Sequence, residues 1–456
     1  MNRIAKRAGI TLILALVLIG GICFFVGEYF LNASDWVIFA GNPHVYNGDN
    51  IGCGTVTDRS GALLMDISGS RTYADDALLR KATLHWLGDR EGKISAPALS
   101  EYSEQMAGYD LINGVYSYGG NGGTATLTLS AKVQEAALEA LDGRKGAVAV
   151  YNYKTGEILC AVTSPTYDPD DVPDVEADQE TYDGVYLNRF TQVSYVPGSI
   201  FKVVTAGAVL ETAPDIRSEE FYCDGDYIVD GNYVTCEDEH GYVDMGGALT
   251  DSCNCYFAWL SEQIGGETLM EFVERFEILE SLSFDGITTA DGSVSFDNDD
   301  PVEVAWSSIG QHEDLVNPCR FMTFMGAIAN GGNAAQPYVV SEVSVGRKTT
   351  YEAKTTYSDT IMSSSTAEIL RNYLRNNVIN KYGDDNFPGM TVCAKSGTAE
   401  VGGDQRSNAL LAGFVLDEEY PLAFIAVVEN GGYGRTTCVP IMSEVLTACK
   451  EVLDGE

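Results

Sequence analysis

The residue types that could do chemistry begin with Ser199 and Lys202, three apart in the apolar stretch Tyr-Val-Pro-Gly-Ser-Ile-Phe-Lys-Val-Val-Thr-Ala-Gly-Ala-Val-Leu of residues 195–210. On a helix, side chains three apart share one face a turn from each other, so hydroxyl and amine meet. Pro197-Gly198 breaks the preceding chain and Ser199 suits a helix start. Ile200, Phe201, Val203, Val204, Ala206, Ala208, Val209 and Leu210 are apolar on every face, which marks a buried helix. A hydroxyl at a helix start sees partial positive charge, and an ammonium in an apolar setting has its charged form disfavoured. The amine is then suited to act as base toward the hydroxyl.

A Ser-x-x-Lys pattern alone is expected by chance in a chain of this size; its companions give it weight. Ser252-Cys-Asn254 begins 53 residues after Ser199, and Lys395-Ser-Gly-Thr398 begins 141 residues after Asn254. The three follow the chain order of the serine acyl-transfer set Ser-x-x-Lys, Ser-x-Asn, Lys-Thr/Ser-Gly. Lys154-Thr155-Gly156 also matches the third pattern, but it precedes the serine and lies between two strand-like runs, so it reads as a turn. There is no Gly-x-Ser-x-Gly. His312-Glu313 has no second histidine four residues after the first, and four histidines leave few bases for a Ser-His-Asp arrangement.

The elements that must position these residues can be read coarsely. Residues 147–153 and 157–163 form a strand, tight turn and strand, and 248–263 read as one helix around Ser252 and Asn254. Residues 282–300 are an irregular polar connection, and 318–330 and 363–380 are helical. Strands follow at 390–400, 409–416 and 422–429, then a last helix over about 441–453. Strands at both ends of a helix-rich middle imply one antiparallel sheet packed by helices, an α+β domain whose first and last strands meet. Upstream, 31–141 mixes short strands with helices at 75–86 and 97–106, a strand at 124–129, and an amphipathic helix over 130–141 capped by Ser130. The glycines of 114–123 lack the spacing of a dinucleotide or phosphate loop and read as a linker; the acidic stretch 167–183 reads as a surface loop.

The 456 residues suffice for two or three domains, and 45% hydrophobic content supports a large core. A net charge of -38 without a Lys/Arg cluster excludes nucleic acid as a partner and reads as a solvated acidic surface. Arg3, Lys6 and Arg7 precede nineteen residues, 8–26, in which Thr11 is the one polar side chain apart from the small Cys23. At ~1.5 Å per residue this crosses most of a ~30 Å hydrocarbon core, and it exceeds the core of a cleaved signal. We place the anchor at 8–28, with 1–7 cytoplasmic and the rest extracellular or periplasmic, since no Lys or Arg recurs before Arg59. Cys23 lies in the anchor and ten cysteines lie outside it. Cys223 and Cys236 flank a hairpin-like run around Asp230-Gly231-Asn232, and are expected to be bridged if the protein is exported into an oxidising space. Closing about 14 residues would stabilise by ~3 kcal/mol. Cys253 and Cys255, with no matching pair nearby in sequence, read as small buried side chains; no metal and no cofactor is expected.

These motifs and their flanking phrases resemble a class B penicillin-binding protein, a monofunctional peptidoglycan D,D-transpeptidase, over nearly the whole chain. The phrases are Ser164-Pro-Thr-Tyr-Asp-Pro169, Asn188-Arg189, His240-Gly241 before Ala248-Leu249, Ile309-Gly-Gln311, Asn317-Pro318, Ala327-Ile-Ala-Asn-Gly-Gly332 and Gly413-Phe414. The resemblance implies a pedestal or dimerisation-type module at 29–141 and a transpeptidase domain at 142–456. It implies that Ser199 attacks the penultimate D-alanine of a stem peptide, with Lys202 as base. Ser252 and Asn254 then relay a proton and hold the substrate amide, and Lys395 anchors charge and orients Ser252. Ser396, Gly397 and Thr398 bind substrate, and the Ser199 and Thr398 N–H groups form the oxyanion hole. It further implies β-lactam binding, the cell membrane as site of action, and a polytopic glycan polymerase of the SEDS type (shape, elongation, division and sporulation) as partner. Ser396 stands where many relatives have Thr, and Asp170 and Ser130 stand where Asn and Asp are expected, all without loss of a motif function. A D,D-carboxypeptidase, a serine β-lactamase, an idle scaffold and a drug sensor are the alternatives; length, pedestal and complete motifs disfavour them.

The two lysine motifs make a direct test. Lys154→Ala should react with a fluorescent penicillin at close to the parent rate, because surface substitutions at a turn change little. Lys395→Ala should react ~10² to 10³ times more slowly, roughly 3 to 4 kcal/mol of transition-state stabilisation, with both variants melting near the parent temperature. Exchange of the two phenotypes would show that the third motif is misassigned.

Overall fold

The computed structural model describes residues 2–37, 46–47, 50–51, 54–67, 71–107, 122–296, 300–402 and 405–455. Residues 114–121 of the expected linker lie outside these. Helix α1, Asn2–Val37, is continuous, and its stretch Arg3–Asn32 contains an eighteen-residue window of mean hydropathy 2.8, none of which is buried. Its Ile13, Leu16, Ile19 and Phe24 side chains all stand exposed. Such an apolar surface fits a membrane anchor.

The chain continues as β1 Thr55–Thr57, β2 Leu63–Asp66, β3 Thr72–Tyr73, α2 Ala77–Leu87, β4 Thr124–Leu127 and α3 Ala131–Leu141. Then come β5 Gly146–Asn152, β6 Ile158–Ser164, α4 Lys202–Thr212 and four short strands, β7 Phe221–Cys223, β8 Asp226–Val229, β9 Asn232–Thr235 and β10 Gly241–Val243. Helices α5 Met245–Asp251, α6 Asn254–Ile264 and α7 Pro318–Ala329 lead to β11 Val340–Val345, β12 Lys348–Glu352 and α8 Ser364–Asn377. The chain ends in β13 Val392–Ala399, β14 Asn408–Val415, β15 Leu422–Val428 and α9 Gly434–Leu453.

The main sheet is five-stranded and antiparallel, in the order β13-β14-β15-β5-β6, so first and last strands meet as expected, with Ala149 opposite Ile425. Its strands read as continuous apolar runs because both faces are covered. Along β15, Leu422, Phe424, Ala426 and Val428 join Val133, Leu141, Val445 and Leu446 of α3 and α9. Ala423, Ile425 and Val427 join Phe321, Phe324 and the α4 residues on the other side. This is the two-residue alternation of a strand, buried on each side. A second sheet, in the order β12-β11-β4-β1-β2-β3, takes the two strands at one edge from residues 340–352, which the sequence reading passed over.

Three local expectations need correction. The single helix expected over 248–263 is two helices, because Ser252 adopts a left-handed φ of 59° and Cys253 is extended. The last helix starts at Gly434 rather than near 441 and runs through Pro440. Ser130 occupies the cap position of α3 but makes no side-chain capping bond. The cap comes from Asp58 instead: its buried carboxylate accepts the Ala131 N–H at 3.0 Å, along with the Ser60 and Ala62 N–H groups and the Ser60 hydroxyl.

Four donors on one buried carboxylate make Asp58 a joint between the N-terminal sheet and the helix that covers the main sheet. Asp58→Ala should lower stability by about 2 kcal/mol, since it removes a helix cap together with the one acceptor that four donors share. Thermal unfolding of the full chain in detergent should show a lower midpoint, while Ser130→Ala should leave it nearly unchanged.

Candidate active site

Ser199 sits in a short 3-10 turn, Gly198–Ile200, that leads directly into α4. Gly198 is left-handed, at φ 54°, and a Cβ there would lie 2.6 Å from the Thr398 carbonyl oxygen; one on Gly397 would lie 2.7 Å from the Pro197 carbonyl oxygen. Two glycines thus let β13 run against the turn that carries Ser199. The third motif, on β13, is brought beside the first by the absence of side chains.

Lys202 is completely buried. Its Nζ lies 3.0 Å from Ser199 Oγ, 2.6 Å from Asn254 Oδ1, 2.7 Å from the Ser252 carbonyl oxygen and 3.2 Å from Ser252 Oγ. The amide and carbonyl oxygens can only accept, so they take two N–H donors. A neutral amine satisfies both and still offers its lone pair to the Ser199 hydroxyl. Burial holds the Lys202 pKa down to about 8, which makes that neutral form accessible.

Lys395, equally buried, donates from its Nζ to Ser252 Oγ and to the Ser396 carbonyl, each at 3.0 Å. Burial, and then repulsion from Lys202, hold its pKa well below the ordinary lysine value. The Ser252 hydroxyl therefore lies between two lysine nitrogens, each with its charged form destabilised. It can receive a proton from one side as it yields one on the other.

The helix break at Ser252 is what turns that residue's carbonyl and hydroxyl toward Lys202. Asn254 is held by its Nδ2 donating to the Thr235 carbonyl at 2.7 Å, which ties the second motif to β9. Several positioning residues escaped the sequence reading. Tyr382 Oη accepts the Ser396 N–H at 2.7 Å and donates to Ser396 Oγ at 3.0 Å. Asn377 accepts from Thr250 and donates to the Ala394 carbonyl, bridging α5 and β13. Gln311, inside a quoted phrase, donates to the Thr398 carbonyl at 3.2 Å. Arg189, likewise in one of the flanking phrases but without a role assigned there, pairs with Glu429 at 2.7 Å, and Glu429 also accepts from Tyr195. No periodic pattern marks such residues, because each acts through one long-range bond.

Ser199, Ser252, Asn254, Lys395, Ser396 and Thr398 line one cleft of about 440 Å³, whose rim adds Glu237, Glu400, Tyr433 and Arg435. Lys154 lies exposed on the β5–β6 turn, where Asn152 Oδ1 accepts the Lys154 and Thr155 N–H groups. The expected bridge between Cys223 and Cys236 is absent: their sulfurs lie 3.8 Å apart and both thiols are free, whereas a disulfide needs ~2.05 Å. The hairpin itself forms as read, with β8 and β9 paired about Asp230-Gly231. Cys223 belongs to the neighbouring pair of β7 with β10, which holds its sulfur at that distance.

The family described as the penicillin binding protein transpeptidase domain matches residues 146–447. Stage V sporulation protein D of Bacillus subtilis is 27% identical over 399 residues, 82% of this chain and 58% of that protein; the chain thus spans little more than half of that relative's length. Peptidoglycan D,D-transpeptidase PbpA of Mycobacterium tuberculosis is 27% identical over 395 residues, 79% of this chain and 78% of that protein. Among solved structures, the D,D-transpeptidase domain of a peptidoglycan glycosyltransferase from Eggerthella lenta superposes with a TM-score of 0.74 at 25% identity, covering 88% of this chain and 98% of that one. With the fold, the three motifs and the matched span in agreement, this chain belongs to the penicillin-binding protein transpeptidase family, in its class B branch.

Proposed function

We propose that this chain is a serine-type peptidoglycan D,D-transpeptidase that cross-links stem peptides through an acyl-enzyme and is acylated by β-lactams. One observation supports the reading above others: a fully buried Lys202 lies 3.0 Å from Ser199 Oγ, with two acceptor-only partners that leave a lone pair for the hydroxyl proton. In this reading Ser199 Oγ gives its proton to Lys202 Nζ and bonds to the carbonyl carbon of the penultimate D-alanine. The C–N bond to the terminal D-alanine breaks, and the leaving nitrogen takes a proton from Ser252 Oγ, replenished from the lysine on either side. An amine of a neighbouring strand then attacks the ester and restores the Ser199 hydroxyl. Asn254 holds the substrate amide, and Ser396, Gly397 and Thr398 line up the peptide, Thr398 binding its carboxylate. The N–H groups of Ser199 and Thr398 are the donors we assign to the oxyanion, worth ~10² to 10³ in rate per donor.

The remaining parts of the reading follow from α1 and the family. The basic residues Arg3, Lys6 and Arg7 favour a cytoplasmic N-terminus, which puts the cleft outside the membrane. We assign 8–28 to the anchor, 29–141 to the pedestal and 142–456 to the transpeptidase domain, with a SEDS-type polymerase as partner in the membrane.

Two experiments test the chemistry. Ser199→Ala should abolish covalent labelling by a fluorescent penicillin while the protein stays folded, and persistent labelling would overturn the nucleophile. Acylation needs neutral Lys202, which exists above its pKa, so the labelling rate should rise roughly tenfold per pH unit toward about 8 and level off beyond it. Lys202→Arg, always charged, should remove both the rate and its pH dependence. A pH-independent rate between pH 6 and 9 would remove Lys202 as the base.

A further inference from the structure

We propose that Cys223, Cys236, Cys253 and Nδ1 of His240 form a four-ligand site for a soft divalent cation, zinc by ligand preference, built against the back of the second motif. The four ligand atoms all lie within 4.8 Å of one another, although they come from the end of β7, the residue after β9, the residue before β10 and the break between α5 and α6. In sequence they read Cys-x12-Cys-x3-His-x12-Cys, a spacing that no short motif search would join.

The separations fit a metal and not a covalent bond. Cys223 and Cys236 sulfurs are 3.8 Å apart, Cys236 and Cys253 sulfurs 3.7 Å, and Cys223 Sγ lies 3.4 Å from His240 Nδ1. With Zn–S near 2.3 Å and Zn–N near 2.0 to 2.1 Å, a tetrahedron has S···S edges of about 3.8 Å and S···N edges of about 3.6 Å. Three thiols and one imidazole complete a tetrahedral set and leave no open position, as in a structural rather than a catalytic site.

The surroundings are those of bound thiolates. Cys236 Sγ accepts the backbone N–H groups of Asn254 at 3.1 Å and Cys255 at 3.4 Å, and Cys253 Sγ accepts that of Tyr256 at 3.4 Å. Donors of this kind favour the deprotonated sulfur that a metal requires and orient it. Cys255 is a supporting group and not a ligand: its sulfur is bonded to the Val234 carbonyl and to Cys236. Cys236 and His240 line the cleft, which provides a route for the ion, while Cys223 and Cys253 are fully buried.

Cys253 is the residue between Ser252 and Asn254, and Asn254 gives its N–H to the Cys236 sulfur. A metal there anchors the left-handed Ser252 and the Asn254 side chain from behind, so it acts as a positioning device for the cleft.

The test uses the full chain purified in detergent under reducing conditions, with zinc measured by plasma mass spectrometry. One zinc per chain is expected in the parent, in Cys255→Ser and in Ser199→Ala. The last of these separates the metal site from the acylation chemistry. Cys236→Ser should lose at least nine-tenths of the metal. Cobalt(II) loaded into the metal-stripped parent should give the intense visible bands of a tetrahedral thiolate complex, and His240→Gln should shift them. That arm stands even if Cys236→Ser does not fold. Stoichiometric zinc retained in Cys236→Ser, thiols free without metal, a disulfide among Cys223, Cys236 and Cys253 in protein from its own host, or a weak octahedral cobalt spectrum would each overturn the site.

Discussion

The structure depends on keeping two lysine amines out of water around one serine hydroxyl. Lys202 Nζ lies 3.2 Å and Lys395 Nζ 3.0 Å from Ser252 Oγ, and their other partners are a hydroxyl, a carboxamide oxygen and backbone carbonyls. None of these carries charge, and the cost of burying the ammonium form outweighs what nearby groups return to it by attraction. A surface lysine would sit charged and inert at neutral pH. Their charged forms are disfavoured because the main sheet and its helices bury Lys395 on β13 and the stretch Lys202–Leu210 of α4. The extensive apolar burial around them is thus part of the chemistry as well as of stability.

Excluding solvent demands close backbone approach. The turn bearing Ser199 and the strand bearing Lys395 meet at Gly198 and Gly397, where a methyl group would collide with the carbonyl oxygens of Thr398 and Pro197. The second motif arrives differently, by interrupting a helix. Ser252 in a left-handed conformation would be strained alone, and it is held by Lys202 on its carbonyl and hydroxyl, and by Asn254 bonded to Thr235 and to the Cys236 sulfur.

This contrast explains what was legible in the sequence. The main sheet was readable because its strands are continuous apolar runs, and the three motifs were readable because each packs its functional residues within a few positions. The break at Ser252-Cys253 was not, since no glycine or proline marks it and the bonds that hold it come from residues 50 and 143 positions away. Ser130 looked like a cap by composition, yet the bond belongs to Asp58, 73 positions upstream of Ala131. Tyr382 and Asn377 were invisible for the same reason. The cysteines were misread as a pair because sequence distance favours neighbours, whereas the fold gathers sulfurs from three separate segments and an imidazole from a fourth.

The same logic bears on how the N-terminal module relates to the cleft. Strand β11 pairs with β4, so residues 340–345 of the catalytic segment and 124–127 of the upstream segment share one hydrogen-bonded sheet. Arg80 of α2 grips Asp168 through two parallel bonds of 2.7 and 2.6 Å, and Trp86 donates to the Ala161 carbonyl on β6 at 2.6 Å. Gln134 of α3 bonds both Ala82 and Ala161. Backbone pairing combined with bidentate and buried polar contacts resists hinge motion far better than a linker would. The segment that follows helix α1 and the segment bearing Ser199 are therefore tied to each other by backbone pairing and by these side-chain contacts, and not by chain continuity alone.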